Sequence, residues 1–172
     1  MEYKKLNLKV PIENNNYYDL SCMAINNIDK IFKSAIKDNK NKIIINTNLK
    51  SGIPMENVNK IAGPFIEAWA HETFNNDFEK KNNNNFFKKI EPGQRLNMAD
   101  IILDFKSKNN SVIIKANVDV KATSNDIKNS GKSPNITSFS RIRSEYIKDP
   151  DYIFIILSIK HRVYSKKNKK DS

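Results

Sequence analysis

Apolar residues recur at spacings of three and four between residues 17 and 38: Leu20, Met23, Ala24, Ile28, Ile31, Phe32, Ala35 and Ile36. That period predicts an amphipathic helix. Lys37 to Asn48 then holds a short apolar core, Ile43-Ile44-Ile45, which reads equally as a strand or as a loop anchor. Gly52-Ile53-Pro54 punctuates the chain, and a second helix is expected from about Met55 to Phe78. Ile61, Phe65, Ala68 and Trp69 form one apolar stripe on it, and Ala62, Ile66, Ala70 and Phe74 form another. Two stripes suggest a central helix. Gly63-Pro64 interrupts the pattern, so a fresh start at Pro64 is expected, where proline suits a first turn.

Beyond residue 80 the period shortens. Lys80 to Lys89 contains Asn82-Asn83-Asn84-Asn85, a polar low-complexity run expected to be a solvated loop. Phe86-Phe87 suggests the start of a short strand, and Glu91-Pro92-Gly93-Gln94 a turn. Ala99 to Phe105 and Val112 to Ala122 read as two strands joined by the polar turn Lys106 to Asn110, an antiparallel hairpin. Ile136 to Ile147 reads as a helix with Phe139, Ile142 and Tyr146 as its core stripe, capped by Asn135 or Thr137 and stopped by Asp149-Pro150. Arg141, Arg143 and Lys148 point away from that stripe. Tyr152 to Leu157 is almost continuously apolar, as expected of a strand buried on both faces.

The second hairpin strand carries the chemistry. Val112, Ile114, Ala116, Val118, Val120 and Ala122 alternate onto one face, which packs on a core. Asp119 and Lys121 share the other face, where a carboxylate beside an ammonium suits metal-assisted chemistry on a phosphate. An ordinary solvent-facing strand would look similar, and Lys115 and Asn117 on that face fit it. A hairpin symmetric about residue 108 or 109 sets Asp100 opposite Asn117 and diagonal to Asp119, a separation of about 7–8 Å. Asp104 then falls near Ile113, too far along to share a cation with them.

Composition adds a partner. Thirty Lys and Arg against 19 Asp and Glu give a net charge of +11, which points to a polyanion. The 172 residues favour one domain, 1–172, with 1–16 as a mobile arm or short edge strand and 165–172 as a flexible basic tail. The single cysteine, Cys22, excludes an internal disulfide and a cysteine zinc site. His71 and His161 stand too far apart in sequence to support a histidine metal site. The first residues lack a signal-peptide pattern and no segment is long enough to span a bilayer, so a cytoplasmic protein is expected.

Asp100, the Asp119-Val120-Lys121 triplet and the upstream helix acid Glu67 together resemble the PD-(D/E)xK nuclease superfamily, above all its type II restriction endonucleases. The resemblance covers roughly residues 54–160, in the order helix, strand, strand, helix, strand. Ala99 stands where the family motif has Pro. The resemblance implies an α/β fold, a mixed β-sheet of four or more strands with helices on both sides. It implies Mg2+ held by Asp100, Asp119 and the Val120 carbonyl, with Lys121 at the attacking water and phosphate. Glu67 would hold a second ion or an outer water, and Glu72, further along the same helix, is the alternative acid. The expected activity is sequence-specific cleavage of double-stranded DNA by a homodimer. Expected DNA contacts are Lys128, Lys132, Asn135, Ser138, Arg141 and Arg143, with Arg95 a further phosphate candidate. The chain stops soon after its last strand, where many such enzymes continue, so a compact member, a fragment and a degenerate copy all fit. A Holliday-junction or repair nuclease of the same superfamily, or a non-catalytic nucleic-acid-binding protein, is the alternative function.

Overall fold

The computed structural model describes residues 14–79, 87–92, 98–106, 113–126 and 139–164. The N-terminal arm to residue 13, the Asn82–Asn85 run, Gly93-Gln94, Arg95, the hairpin turn, the cap Asn135 or Thr137, and the basic tail lie outside the described residues. So do four of the expected DNA contacts: Lys128, Lys132, Asn135 and Ser138.

Among the described residues, three helices and four strands follow in the order α1 (Tyr17–Lys37), α2 (Met55–Glu79), β1 (Phe87–Pro92), β2 (Ile101–Lys106), β3 (Ile113–Ser124), α3 (Phe139–Lys148) and β4 (Ile153–His161). The strands form one mixed sheet in the order β1-β2-β3-β4. β1 and β3 each pair antiparallel with β2, and β4 runs parallel to β3. This is the expected α/β class with a mixed sheet, although α1 and α2 both pack on one face of it and not on opposite sides. α3 supplies the crossover that a parallel pair requires.

α1 keeps the predicted stripe, burying Ala24, Ile28, Ile31, Phe32 and Ala35, but leaves Ile36 half exposed. It ends where Asn39 takes a left-handed φ of 56°, a conformation Asn tolerates better than most residues. Residues 40–49 then run without regular structure, and Ile44 is 80% exposed, so this segment is neither strand nor buried anchor.

α2 is one helix through Pro64, not two. The missing N–H and ring clash cost about 3 kcal/mol, and burial of Ala62, Ile66, Ala70 and Phe74 on both sides of the proline offsets that. Only this stripe is buried. Ile61 and Phe65 of the other stripe are about 40% exposed, so α2 is amphipathic and not central. Both long helices pack on one face of the sheet, against Ile101, Leu103, Phe105, Ile114, Ala116, Val118, Val120 and Ile153. Phe32 ties the two together, edge-on to Trp69 and Phe74.

Two expectations about the later elements fail. Phe139 of α3 is 76% exposed and no residue of that helix is buried. α3 touches the rest through Tyr146, edge-on to Tyr17 of α1. β4 is longer than expected and buried only at Ile153, with Ile156, Ser158 and Lys160 exposed. It is the last strand of the described sheet, so the apolar run reflects one covered face plus exposed Ile156, not burial on both.

Candidate active site

β2 begins one residue after Asp100, two residues later than the sequence suggests, and Asp100 sits at its threshold. The register pairs Ile101 with Val118 and Ile102 with Asn117. Continued by one step, Asp100 stands opposite Asp119, two residues from the predicted partner Asn117. A shift of two preserves every side chain's face. Asp104 pairs with Lys115, still remote from Asp119.

Backbone bonding locks the arrangement. The Asp100 N–H donates to the Val118 carbonyl at 2.9 Å. Val120 lies beyond the first residue of β2, and its N–H donates instead to Asp100 Oδ2 at 2.7 Å. The carboxylate thus takes the place of a strand partner for that amide. Lys121 Nζ donates to Asp119 Oδ1 at 2.6 Å. The Asp119 side chain is only 4% exposed, whereas Lys121 keeps 30%. That burial excludes the ordinary solvent-facing strand. Asn117 is buried as well, donating through Nδ2 to the Ile153 carbonyl where β4 starts.

The electrostatics join four side chains. Burial pushes the Asp119 carboxyl above the ordinary Asp range; Lys121 opposes this and Asp100 adds to it. Burial also raises the Glu67 carboxyl, with Asp100 and Asp119 adding and Lys121 opposing. Glu67 of α2 therefore feels the same cluster as the two strand carboxylates. Glu72 does not belong to it, because it lines a separate cavity with Ile31, Trp69 and Lys40.

Whether a cation fits can be judged from the oxygens. Asp119 Oδ2 is buried and has no hydrogen-bond partner. A buried carboxylate oxygen beside a second carboxylate needs a cation or a proton. No group of three His, Cys, Asp or Glu among the described residues gathers closely enough to hold a metal by itself. Two carboxylates still suit Mg2+, which keeps several waters and uses few protein ligands. The residues present therefore fit a hydrated Mg2+ better than a fully caged ion.

Of the expected DNA contacts among the described residues, Arg141 and Arg143 are both exposed on α3. Sequence reasoning missed one polar node, where Asn59, Ser124, Asp126 and His161 meet. The period-two face of β4 runs through Ile153, Ile155, Leu157 and Ile159 to His161. Extending the strand past Leu157 would have pointed to it. Nothing in the sequence marks Asn59, one Asn among many.

The sequence model described as type II restriction endonuclease HpaI matches residues 4–172. The chain belongs to the HpaI family of type II restriction endonucleases. It is 54% identical over 168 residues to the type II restriction enzyme HpaI of Haemophilus parainfluenzae, covering 98% of this chain. The chain spans about 65% of that relative's length. No solved structure matches it. Among the described residues no helix is long and apolar enough to cross a membrane.

Proposed function

We propose that this chain is a Mg2+-dependent, sequence-specific double-stranded DNA endonuclease of the type II restriction kind, working in the cytoplasm as a homodimer. The observation that carries this reading is the buried Asp119 paired with Lys121 and facing Asp100, within a chain of this family. In it, Asp100, Asp119 and the Val120 carbonyl would hold the ion, and Glu67 would hold a second ion or an outer water. A bound Mg2+ supplies charge compensation for the phosphate, activation of a water and stabilisation of the leaving oxygen. Lys121 turns its ammonium toward the scissile phosphate and holds the attacking water in line. The net charge of +11 draws the polyanion in. A dimer matches the two-fold symmetry of a duplex site.

Phage and plasmid DNA incubated with and without Mg2+ test the reading. Discrete fragments that require Mg2+ and vanish with EDTA are expected, and Ca2+ should permit binding without cutting. Cleavage surviving EDTA removes the metal mechanism. Cutting confined to branched junctions favours a resolvase, and binding without cleavage in any metal favours a non-catalytic binder.

A further inference from the structure

The parallel ladder between β3 and β4 ends at the pair Ser124 and His161. One atom of a third element holds both. Asn59 Oδ1 on α2 accepts from Ser124 Oγ at 3.0 Å and from His161 Nε2 at 3.2 Å. His161 Nδ1 is buried without a partner, which suits a neutral ring with its proton on Nε2. Burial lowers the pKa of this imidazole, against the opposing pull of Asp126 and the Thr123 backbone.

The bonding continues past the strand end. The Asn125 N–H donates to the His161 carbonyl at 2.9 Å. The Asp126 N–H donates to Ser124 Oγ at 3.1 Å. Asp126 in turn accepts from the Val163 N–H and pairs with Arg162 at 3.6 Å. The chain's exit from β3 is thereby fixed by α2, β3 and β4 together. Immediately beyond it lies the segment that carries Lys128 and Lys132. Lys121 sits three residues upstream of Ser124 on the same strand. Asn59 and Glu67 share α2, about 12 Å apart along its axis at about 1.5 Å per residue.

We infer that Asn59 and His161 are positioning residues: they set where the DNA-contacting segment leaves the catalytic frame, and so govern DNA affinity and site choice. The inference rests on the nuclease reading above. An acceptor shared by two strand ends is satisfied only when helix and both strands keep one arrangement. Its removal takes away the acceptor that Ser124 Oγ and His161 Nε2 share, and the exit loosens. Asp100, Asp119 and Lys121 make none of these contacts, so the chemical step should be untouched.

The test compares Asn59→Leu and His161→Leu with Asn59→Asp, which keeps the acceptor, and His161→Gln, which keeps a donor. Duplex binding is measured in Ca2+, and cleavage in Mg2+ on the preferred site and on single-base variants of it. The Leu variants should raise Kd and KM roughly ten-fold and erode discrimination, with kcat within about two-fold, on the scale of one lost buried hydrogen bond. The Asp and Gln variants should restore most of the affinity. If the Leu variants fail to melt cooperatively, Ser124→Ala removes the hydroxyl that donates to Asn59 and accepts from Asp126, keeps the His161 bond to Asn59, and should show the same KM effect in weaker form. Unchanged Kd and discrimination, a fall in kcat that matches the fall in kcat/KM, or Asp and Gln variants no better than Leu would each overturn the inference while leaving the nuclease reading intact. An unaltered chain that neither binds nor cuts DNA overturns both.

Discussion

Asp100 holds its position by accepting from the Val120 amide, and Asp119 holds its own by burial and the Lys121 ammonium. Asp100→Asn keeps an oxygen for the amide but removes a negative charge next to Asp119. Burial and this neighbour raise the folded-state pKa of Asp119, so the folded chain keeps a proton that the unfolded chain releases. The contribution favours folding fully below the unfolded value near 4 and is lost as pH rises through the raised folded value. Without metal, Asp100→Asn should therefore melt at or above the unaltered chain at pH 7, and the gain should shrink below about pH 4. Ca2+ should raise the melting temperature of the unaltered chain at pH 7 and leave this variant unmoved. Cleavage should fall by at least about a hundred-fold in Asp100→Asn, Asp119→Asn and Lys121→Gln, the scale of one lost charge-stabilising group. A metal-free destabilisation of Asp100→Asn at pH 7 would disprove the crowding of the two acids. The identities of these residues were legible because period two assigned Asp119 and Lys121 to one face. Their burial was not legible, because Asn117 and Lys115 on that face look like solvent residues.

Elements were legible where one period ran long enough. α1 matches to within a residue, and the α2 stripe Ala62, Ile66, Ala70, Phe74 forms its core contact. The errors came where local signals conflict with tertiary context. Pro64 reads as a break, yet packing on both sides holds the helix through it. Pro64→Ala should restore a backbone donor and stabilise the fold by about 1–3 kcal/mol in chemical denaturation. A destabilised Pro64→Ala would mean that the ring itself makes a contact the helix needs. Phe74, fully buried between α1 and the sheet, should cost about 3–5 kcal/mol as Ala. Ile36→Ser, on the half-exposed position mistaken for core, should stay within about 0.5 kcal/mol. The hairpin register was missed by two because turn length cannot be read from a run such as Lys106 to Asn110. The candidate cluster survived because an even shift keeps faces and because Asp100 moved closer to Asp119.

For the whole molecule the deciding quantity is charge. A net +11 on 172 residues favours non-specific attraction to any polyanion, so affinity alone says little about recognition. Salt dependence separates the contributions. Each Lys that neutralises a phosphate adds about one unit to the slope of log K against log salt. Measured in Ca2+, where cutting is expected to stop, Lys128→Ala and Lys132→Ala should each flatten that slope by about one and weaken all sequences alike. Asn135, Ser138 and Arg141 are expected to act differently, because base-edge contacts discriminate by about 1–3 kcal/mol each and carry little salt dependence. Their replacement should bring binding of the preferred site toward that of random duplex, with the slope unchanged. Should both Lys variants leave the slope untouched, the segment after β3 does not follow the phosphate backbone. The +11 would then act through other faces, and the exit held by Asn59 and His161 would position something other than a DNA contact.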